Sequence, residues 1–114
     1  MRITIRSPHV SASDTVRTYI GRRLRESLVH FEDRIGSVQV RLEDVNGPRG
    51  GLDKLCQVVI GCGKLGTVHT EAKHKTLRDA IDGAIERAKH AVTHAVDRKQ
   101  TVRRSKVPHR RAER

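Results

Sequence analysis

One stretch of the sequence, residues 76–97, constrains the fold most strongly because it has the pattern of a single long amphipathic helix. Apolar residues recur in it at steps of three and four, which places them on one stripe of a helix. Such a helix would be roughly 33 Å long at 1.5 Å per residue. Thr76 is its predicted N-cap, and Asp79 and Asp82 lie in the first turns, where negative charge favours the positive end of the helix dipole. We therefore expect the domain to be organised around this helix.

The same helix carries a basic edge beside its apolar stripe. When successive residues are placed roughly 100° apart, several side chains that are basic or able to become so fall together to one side of the stripe. They are Arg87, His90, His94 and Arg98. Acidic side chains lie further round the helix. The helix therefore has three sectors, an apolar stripe, a basic edge and an acidic outer face, whereas a soluble helix needs only an apolar and a polar face. The edge is a candidate binding surface, and the alternative is a solvated helix edge with no partner.

Shorter patterns predict the elements that precede this helix. Alternation at period two indicates strands, and apolar residues at helical spacing indicate one further helix, capped by Ser13 or Ser11. A glycine-containing turn at residues 63–66 joins the last two strands as a hairpin. The predicted elements are a strand over residues 2–6, a helix over residues 13–31, and strands over residues 35–43, 54–62 and 67–73.

These elements predict an α+β fold. Both helices have one apolar stripe, so the simplest arrangement is a two-layer sandwich in which a four-stranded sheet carries both helices on one face. The order is β-α-β-β-β-α, and its β-β-β-α part has the order of a double-stranded RNA-binding domain. The predicted core contains Ile3, Ile5, Val38, Val40, Leu42, Val58, Ile60, Ile81, Ile85 and Val92.

The charge of the chain indicates a polyanionic partner. The chain has 114 residues, which fits one domain, and a net charge of +11 favours nucleic acid first and an anionic membrane second. Much of the excess lies in residues 98–114, where only Glu113 opposes the basic residues and Pro108 interrupts any helix. We therefore predict a folded domain over residues 1–97 and a basic, disordered tail over residues 98–114.

Several classes of protein are excluded by what the sequence lacks. It has no apolar run long enough for a membrane span and no signal peptide, so a cytoplasmic location is expected. Cys56 and Cys62 lie six residues apart on one predicted strand, a spacing that suits neither a zinc pair nor a disulfide. His90 and His94 have a spacing that suits a metal ion but no third ligand on the helix. No catalytic motif is present, so we expect neither an enzyme, nor a cofactor, nor a small-molecule substrate.

Two common RNA-binding folds do not fit the sequence. Gly47 and Gly50 match the Gly-x-x-Gly loop of KH domains, but that loop joins two helices and this one joins two predicted strands. An RNA-recognition motif needs aromatic side chains on its sheet for stacking on bases. Tyr19 and Phe31 instead lie on the apolar face of the first predicted helix. Neither fold is therefore favoured.

Three short motifs, in order and at the right spacing, give the chain a family resemblance. They are Val10-Ser-Ala-Ser-Asp14 before the first helix, Phe31-Glu-Asp-Arg-Ile35 before the second strand, and Asp79-Ala-Ile-Asp82 in the long helix. Over about residues 1–98 the chain resembles the short ribosome hibernation factors, the family of the hibernation-promoting factor and the ribosome-associated translation inhibitor. The glycine-rich loop over residues 44–54 is similar to one in a divergent branch of that family.

The resemblance implies a function and a set of RNA-binding residues. It implies binding to the ribosomal RNA of the small subunit, in the channel where mRNA and tRNA meet, with the decoding sites blocked under stress and in stationary phase. We also expect a monomer when the protein is off the ribosome. The implied contacts are Arg23, Arg87, His90, His94 and Arg98. We expect three further basic residues to contribute to RNA binding, namely Arg22, Lys73 and Lys75.

Two of these positions depart from the family, which usually has Arg or Lys where this chain has His90 and His94. A histidine without perturbation is mostly neutral at pH 7, so the electrostatic attraction for RNA is expected to be weaker there. The alternative function is a general binder of structured RNA that resembles a double-stranded RNA-binding domain. Such a domain begins with a helix, so the predicted strand over residues 2–6 distinguishes the two.

Overall fold

The computed structural model describes residues 1–8, 12–44 and 54–106, with side chains described as far as Arg98. It confirms the predicted α+β sandwich of order β-α-β-β-β-α. Among these residues, two short 3₁₀ helices join the main elements, Val29–Arg34 and Gly63–Leu65. The main elements are β1 (Arg2–Arg6), α1 (Asp14–Ser27), β2 (Ser37–Asp44), β3 (Lys54–Gly61), β4 (Thr67–His74) and α2 (Leu77–Lys106).

The four strands form one sheet in the order β1-β2-β3-β4. Strands β1 and β2 are parallel because α1 carries the chain back across the sheet, whereas the later strands follow each other in antiparallel pairs. The register places Ile5 opposite Val40 and Val40 opposite Val58. Because side chains alternate along a strand, this register collects most apolar residues on one face and leaves the other face largely polar, with Leu55 and Val59 of β3 as apolar exceptions.

Both helices cover the apolar face, with α2 over β3 and β4 and α1 beside α2. Eight of the ten predicted core residues are fully or almost fully buried. Ile3 and Ile5 pack against the core but are only half-buried, because β1 is an edge strand. Val29 is the one exposed large apolar residue in the part of the chain that the structure describes.

The two helix starts agree with the sequence. The backbone N–H of Val16 donates to Ser13 Oγ at 3.3 Å, which makes Ser13 rather than Ser11 the cap of α1. The backbone N–H of Asp79 donates to Thr76 Oγ1 at 3.1 Å at the start of α2. Each hydroxyl satisfies a backbone donor that the first turn of a helix leaves without a partner.

The two helix ends differ from the prediction. Helix α1 ends at Ser27 and not at residue 31, because the buried Leu28 closes it and the chain tightens into a 3₁₀ helix on its way to β2. Helix α2 continues past Asp97 to Lys106. Residues 98–106 contain good helix formers, and the first proline after the start of α2 is Pro108. The start of the predicted tail is therefore helical. Residues 107–114, and the Gly-x-x-Gly segment over residues 47–50, lie outside the described residues.

Gly83 lets α2 lie close to β4. A Cβ atom at this position would lie 3.1 Å from both the Cβ of Ala72 and Nε2 of His74. The hydroxyl of Thr70 also donates to the carbonyl of Ala84 at 3.1 Å, a bond from the strand directly to the helix backbone. Together these contacts hold one side of α2 against the outer edge of the sheet.

Cys56 and Cys62 are buried and free, as the sequence indicated. Burial raises the pKa of the Cys56 thiol to about 12, and it also raises the pKa of Cys62. The thiolate is the reactive form of cysteine, so both residues are protected from thiol reagents in the folded protein.

We expect Ile81→Ala to lower the free energy of unfolding by about 2–5 kcal/mol, because Ile81 is almost completely buried between α2 and the sheet. Urea denaturation measures the change. Val29→Ala is the control, since Val29 is 56% exposed and a surface substitution changes stability by less than about 0.5 kcal/mol. An equally small change for Ile81→Ala would contradict the assigned face of α2.

Candidate nucleic-acid interface

The basic edge of α2 lies over the free edge of the sheet. The guanidinium of Arg87 donates to the backbone carbonyl of Glu71 at 2.5 Å. Glu71 belongs to β4, which has no strand on its outer side in the described part of the chain. His94 and Arg98 follow Arg87 by seven and eleven residues, so they lie on the same side of the helix within roughly 20–40°. All three side chains are exposed. We name Arg87, His94 and Arg98 the α2 edge.

His90 lies further towards the outer surface than the α2 edge. Its Nε2 atom is 3.5 Å from Oε1 of Glu86, one turn earlier on the same helix. Both side chains are more than half exposed, so the pairing contributes little to stability. It nevertheless places a carboxylate beside His90, and a phosphate at this position would meet that negative charge.

Arg23 faces the seam between the two helices and not the α2 edge. Its Nε atom lies 3.4 Å from Oδ1 of Asp82, and the hydroxyl of Tyr19 donates to the same oxygen at 2.5 Å. Asp82 lies on the side of α2 that faces α1, well round the helix from Arg87. The side chain of Arg23 is only 29% exposed. Part of its donor capacity is therefore already used within the protein.

Arg22 is more accessible and belongs to a small group around Tyr19. Its guanidinium lies 5.5 Å from the centre of the Tyr19 ring, and Arg78 of α2 lies 4.9 Å from the same centre. Arg22 is also 3.9 Å from Glu26, one turn further along α1. Sequence reasoning missed Arg78, although Arg78 and Asp82 are four residues apart on α2 and must therefore share a side of the helix.

The two predicted lysines lie elsewhere. Lys73 follows the buried Ala72 in β4, so its side chain is on the face of the sheet opposite the helices. Lys75 is exposed in the link between β4 and α2. The eight predicted residues therefore do not form one patch. The structure brings together the α2 edge, with His90 beside it. It separates this group from Arg22 and Arg23 of α1 and from the two lysines.

The chemistry of these side chains suits phosphate groups better than bases. Arginine and protonated histidine are donors that bind phosphate oxygens, and such contacts dominate affinity for nucleic acid. Across the described strands, the open face of the sheet has no Phe, Tyr or Trp side chain on which a base would stack.

The described residues contain neither a metal-binding group nor a membrane-spanning helix. Among residues 1–8, 12–44 and 54–98, no three His, Cys, Asp or Glu side chains are grouped so that they would hold a metal ion. Neither helix in the described part of the chain is long and apolar enough to cross a membrane.

Two solved structures are similar to this fold. A ribosomal subunit interface protein from Coxiella burnetii has a TM-score of 0.67 at 16% sequence identity, covering 88% of this chain and 99% of its own. The N-terminal domain of Protein Y from Thermus thermophilus has a TM-score of 0.68 at 21% identity, covering 82% of this chain and 98% of its own. At these identities the likeness shows the fold alone.

The sequence itself matches a protein family. A comparison with curated protein sequences found no match. The family profile described as sigma 54 modulation protein / S30EA ribosomal protein matches residues 3–100, which is most of the chain. This match confirms the family resemblance that the three short motifs indicated. The chain belongs to the sigma 54 modulation protein / S30EA ribosomal protein family.

Proposed function

We propose that this chain is a hibernation factor that inhibits translation by binding the small ribosomal subunit. It would bind ribosomal RNA in the channel where mRNA and tRNA meet and so block the decoding sites under stress and in stationary phase. The observation that carries the proposal is the α2 edge, an exposed row of donors on a domain whose family includes ribosomal proteins. The proposed action is binding in the cytoplasm by a monomer, without catalysis, cofactor or small-molecule substrate.

The dimensions of the α2 edge fit a nucleic-acid backbone. Arg87 and Arg98 are eleven residues apart on one helix, which corresponds to roughly 16 Å. Successive phosphates of one strand are about 3.4 Å apart along a duplex axis, so the row would span nearly five of these spacings. The helix is held by the buried core beneath it, so these side chains start from a rigid support.

The first strand favours this proposal over a general binder of double-stranded RNA. All five residues of β1 pair with β2. A double-stranded RNA-binding domain begins with a helix and has no strand at this place. The alternative therefore requires a fold that differs from this one at its first element.

We expect Arg87→Glu combined with Arg98→Glu to weaken binding to purified small subunits by roughly tenfold or more, because each change replaces a phosphate contact with a repelled charge. Co-sedimentation at several protein concentrations measures the affinity. The double variant Arg25→Glu and Arg34→Glu has the same net charge and alters exposed residues away from the α2 edge. Equal weakening in both variants would mean that only total charge matters.

Arg23 is left unchanged in that experiment for a structural reason. A glutamate at position 23 would lie beside Asp82, where the two like charges would repel each other. A loss of binding would then report on the packing of α1 against α2 as well as on RNA contact. Thermal melting of each variant checks that the domain remains folded.

A separate prediction concerns pH. An unperturbed histidine gains its charge as pH falls through about 6.5. If His90 and His94 face phosphates, binding favours their charged forms, and affinity for small subunits should rise as pH falls from 8 to 6. Replacing both with lysine should remove this dependence and preserve or strengthen binding at pH 8.

The two histidines can be distinguished in the same titration. His94 belongs to the α2 edge, whereas His90 has the carboxylate of Glu86 beside it. His94→Lys alone should therefore remove more of the pH dependence than His90→Lys alone. Affinity that stays constant between pH 8 and pH 6 in the unaltered protein would show that neither histidine contacts RNA.

A further inference from the structure

A second basic cluster lies at the opposite edge of the sheet from the α2 edge. Arg6 is the last residue of β1, Arg41 is its partner on β2, and Arg17 lies on α1. These three arginines line one shallow cleft, together with Ser7 and Pro8. We name them the arginine cleft. None of the three belongs to the basic residues that the family resemblance implies.

Backbone geometry holds the three guanidinium groups near one another. Arg6 and Arg41 are direct partners across neighbouring strands, which lie about 4.8 Å apart. Arg17 donates from Nη1 to the backbone carbonyl of Ile5 at 3.4 Å, which brings its side chain to the outer edge of β1. The cleft therefore draws on two strands and a helix.

The positive charge of the cleft is only partly compensated within the protein. Arg41 lies 3.2 Å from the carboxylate of Glu43. Among the described residues, no carboxylate lies within ion-pair distance of Arg6 or Arg17. Like charges opposite each other on neighbouring strands are destabilising, and a bound anion relieves that repulsion. Arginine also binds phosphate through two parallel N–H donors, which gives such a site its geometry.

The surface beside the arginine cleft suits a phosphate of an RNA backbone better than a phosphate of a lipid headgroup. The open face of the sheet continues from Arg6 and Arg41 into a depression lined by eight residues, of which only Val40 and Val59 have apolar side chains. Binding to a lipid surface combines basic residues with apolar side chains that enter the bilayer. In the described part of the chain only Val29 is a large exposed apolar residue, and it is not in this cleft. The polar lining consists of Thr4, Arg6, Gln39, Arg41, Gln57 and His69.

We propose that the arginine cleft binds a phosphate group of an RNA backbone, at a site separate from the α2 edge. The proposal rests on the proposed function in taking RNA as the partner. One row of paired strand residues crosses the sheet from the arginine cleft to β4, the strand that Arg87 contacts. The row consists of Arg6, Arg41, Gln57 and Glu71. Three strand spacings amount to roughly 14 Å. The domain thus holds RNA on two opposite edges and bridges two backbone segments.

The test uses two triple variants of equal charge. The cleft variant carries Arg6→Gln, Arg17→Gln and Arg41→Gln. The control variant carries Arg2→Gln, Arg25→Gln and Arg34→Gln, which alters three exposed arginines outside the cleft. Binding to purified small subunits and to a twelve-nucleotide oligouridylate is measured at several salt concentrations. Vesicles containing phosphatidylserine form a third arm.

The cleft variant should bind RNA at least tenfold more weakly than the control variant. The slope of log affinity against log salt should become shallower by about 0.7 for each phosphate that the cleft variant no longer binds. A cleft variant that matches the control on both RNA probes would overturn the proposal, and so would a specific loss of vesicle binding with RNA binding intact.

Two features keep the outcome interpretable. The double variant Arg6→Gln and Arg41→Gln retains the bond from Arg17 to Ile5, so it tests the cleft if the triple variant does not fold. Binding to oligouridylate separates this proposal from the proposed function. If the unaltered protein fails to bind small subunits but loses oligouridylate affinity through the cleft changes, the cleft stands and the ribosomal proposal fails.

Discussion

The packing of α2 on β3 and β4 is the contact on which the rest of the structure depends. The helix buries its apolar stripe against side chains from both strands, and Ile81, Ile85 and Val92 are at most 1% exposed. Gly83 permits the close approach to β4 because a side chain there would meet Ala72. Such burial fixes both the depth and the rotation of the helix. A rotation by a quarter-turn would expose the stripe and bury charged residues, which costs several kcal/mol.

This fixed rotation gives α2 two chemically different sides. On the side towards α1, Asp82 accepts hydrogen bonds from Tyr19 and Arg23 and so ties the two helices together. On the side towards the free edge of β4, Arg87 contacts the strand backbone and the basic row continues towards Arg98. The carboxylate of Asp82, which accepts hydrogen bonds within the protein, thus lies away from the surface that is proposed to bind phosphate. The arginine cleft at the far edge of the sheet gives the domain a second basic surface.

The sequence predicted those features that local patterns determine. The hydroxyls of Ser13 and Thr76 cap the helices they precede, and strand alternation identified the buried face of the sheet. The end of α2 was predicted wrongly because the basic composition of residues 98–106 indicated disorder, whereas those residues are also good helix formers. The bond between Arg23 and Asp82 joins residues 59 positions apart, and no local pattern reveals it. The pairing of Arg6 with Arg41 depends on parallel register, which the sequence alone does not specify.

Site-specific crosslinking to ribosomal RNA tests most directly whether the α2 edge binds the small subunit. The native cysteines are buried, so a photoreactive reagent would attach only to a cysteine introduced on the surface. His94→Cys places the reagent on the α2 edge. Lys89→Cys places it at another exposed position of the same helix, on the side of Asp82. If the α2 edge binds ribosomal RNA, position 94 should form crosslinks to small-subunit RNA and position 89 should form few. Equal yields from both positions, or a higher yield from position 89, would contradict that binding.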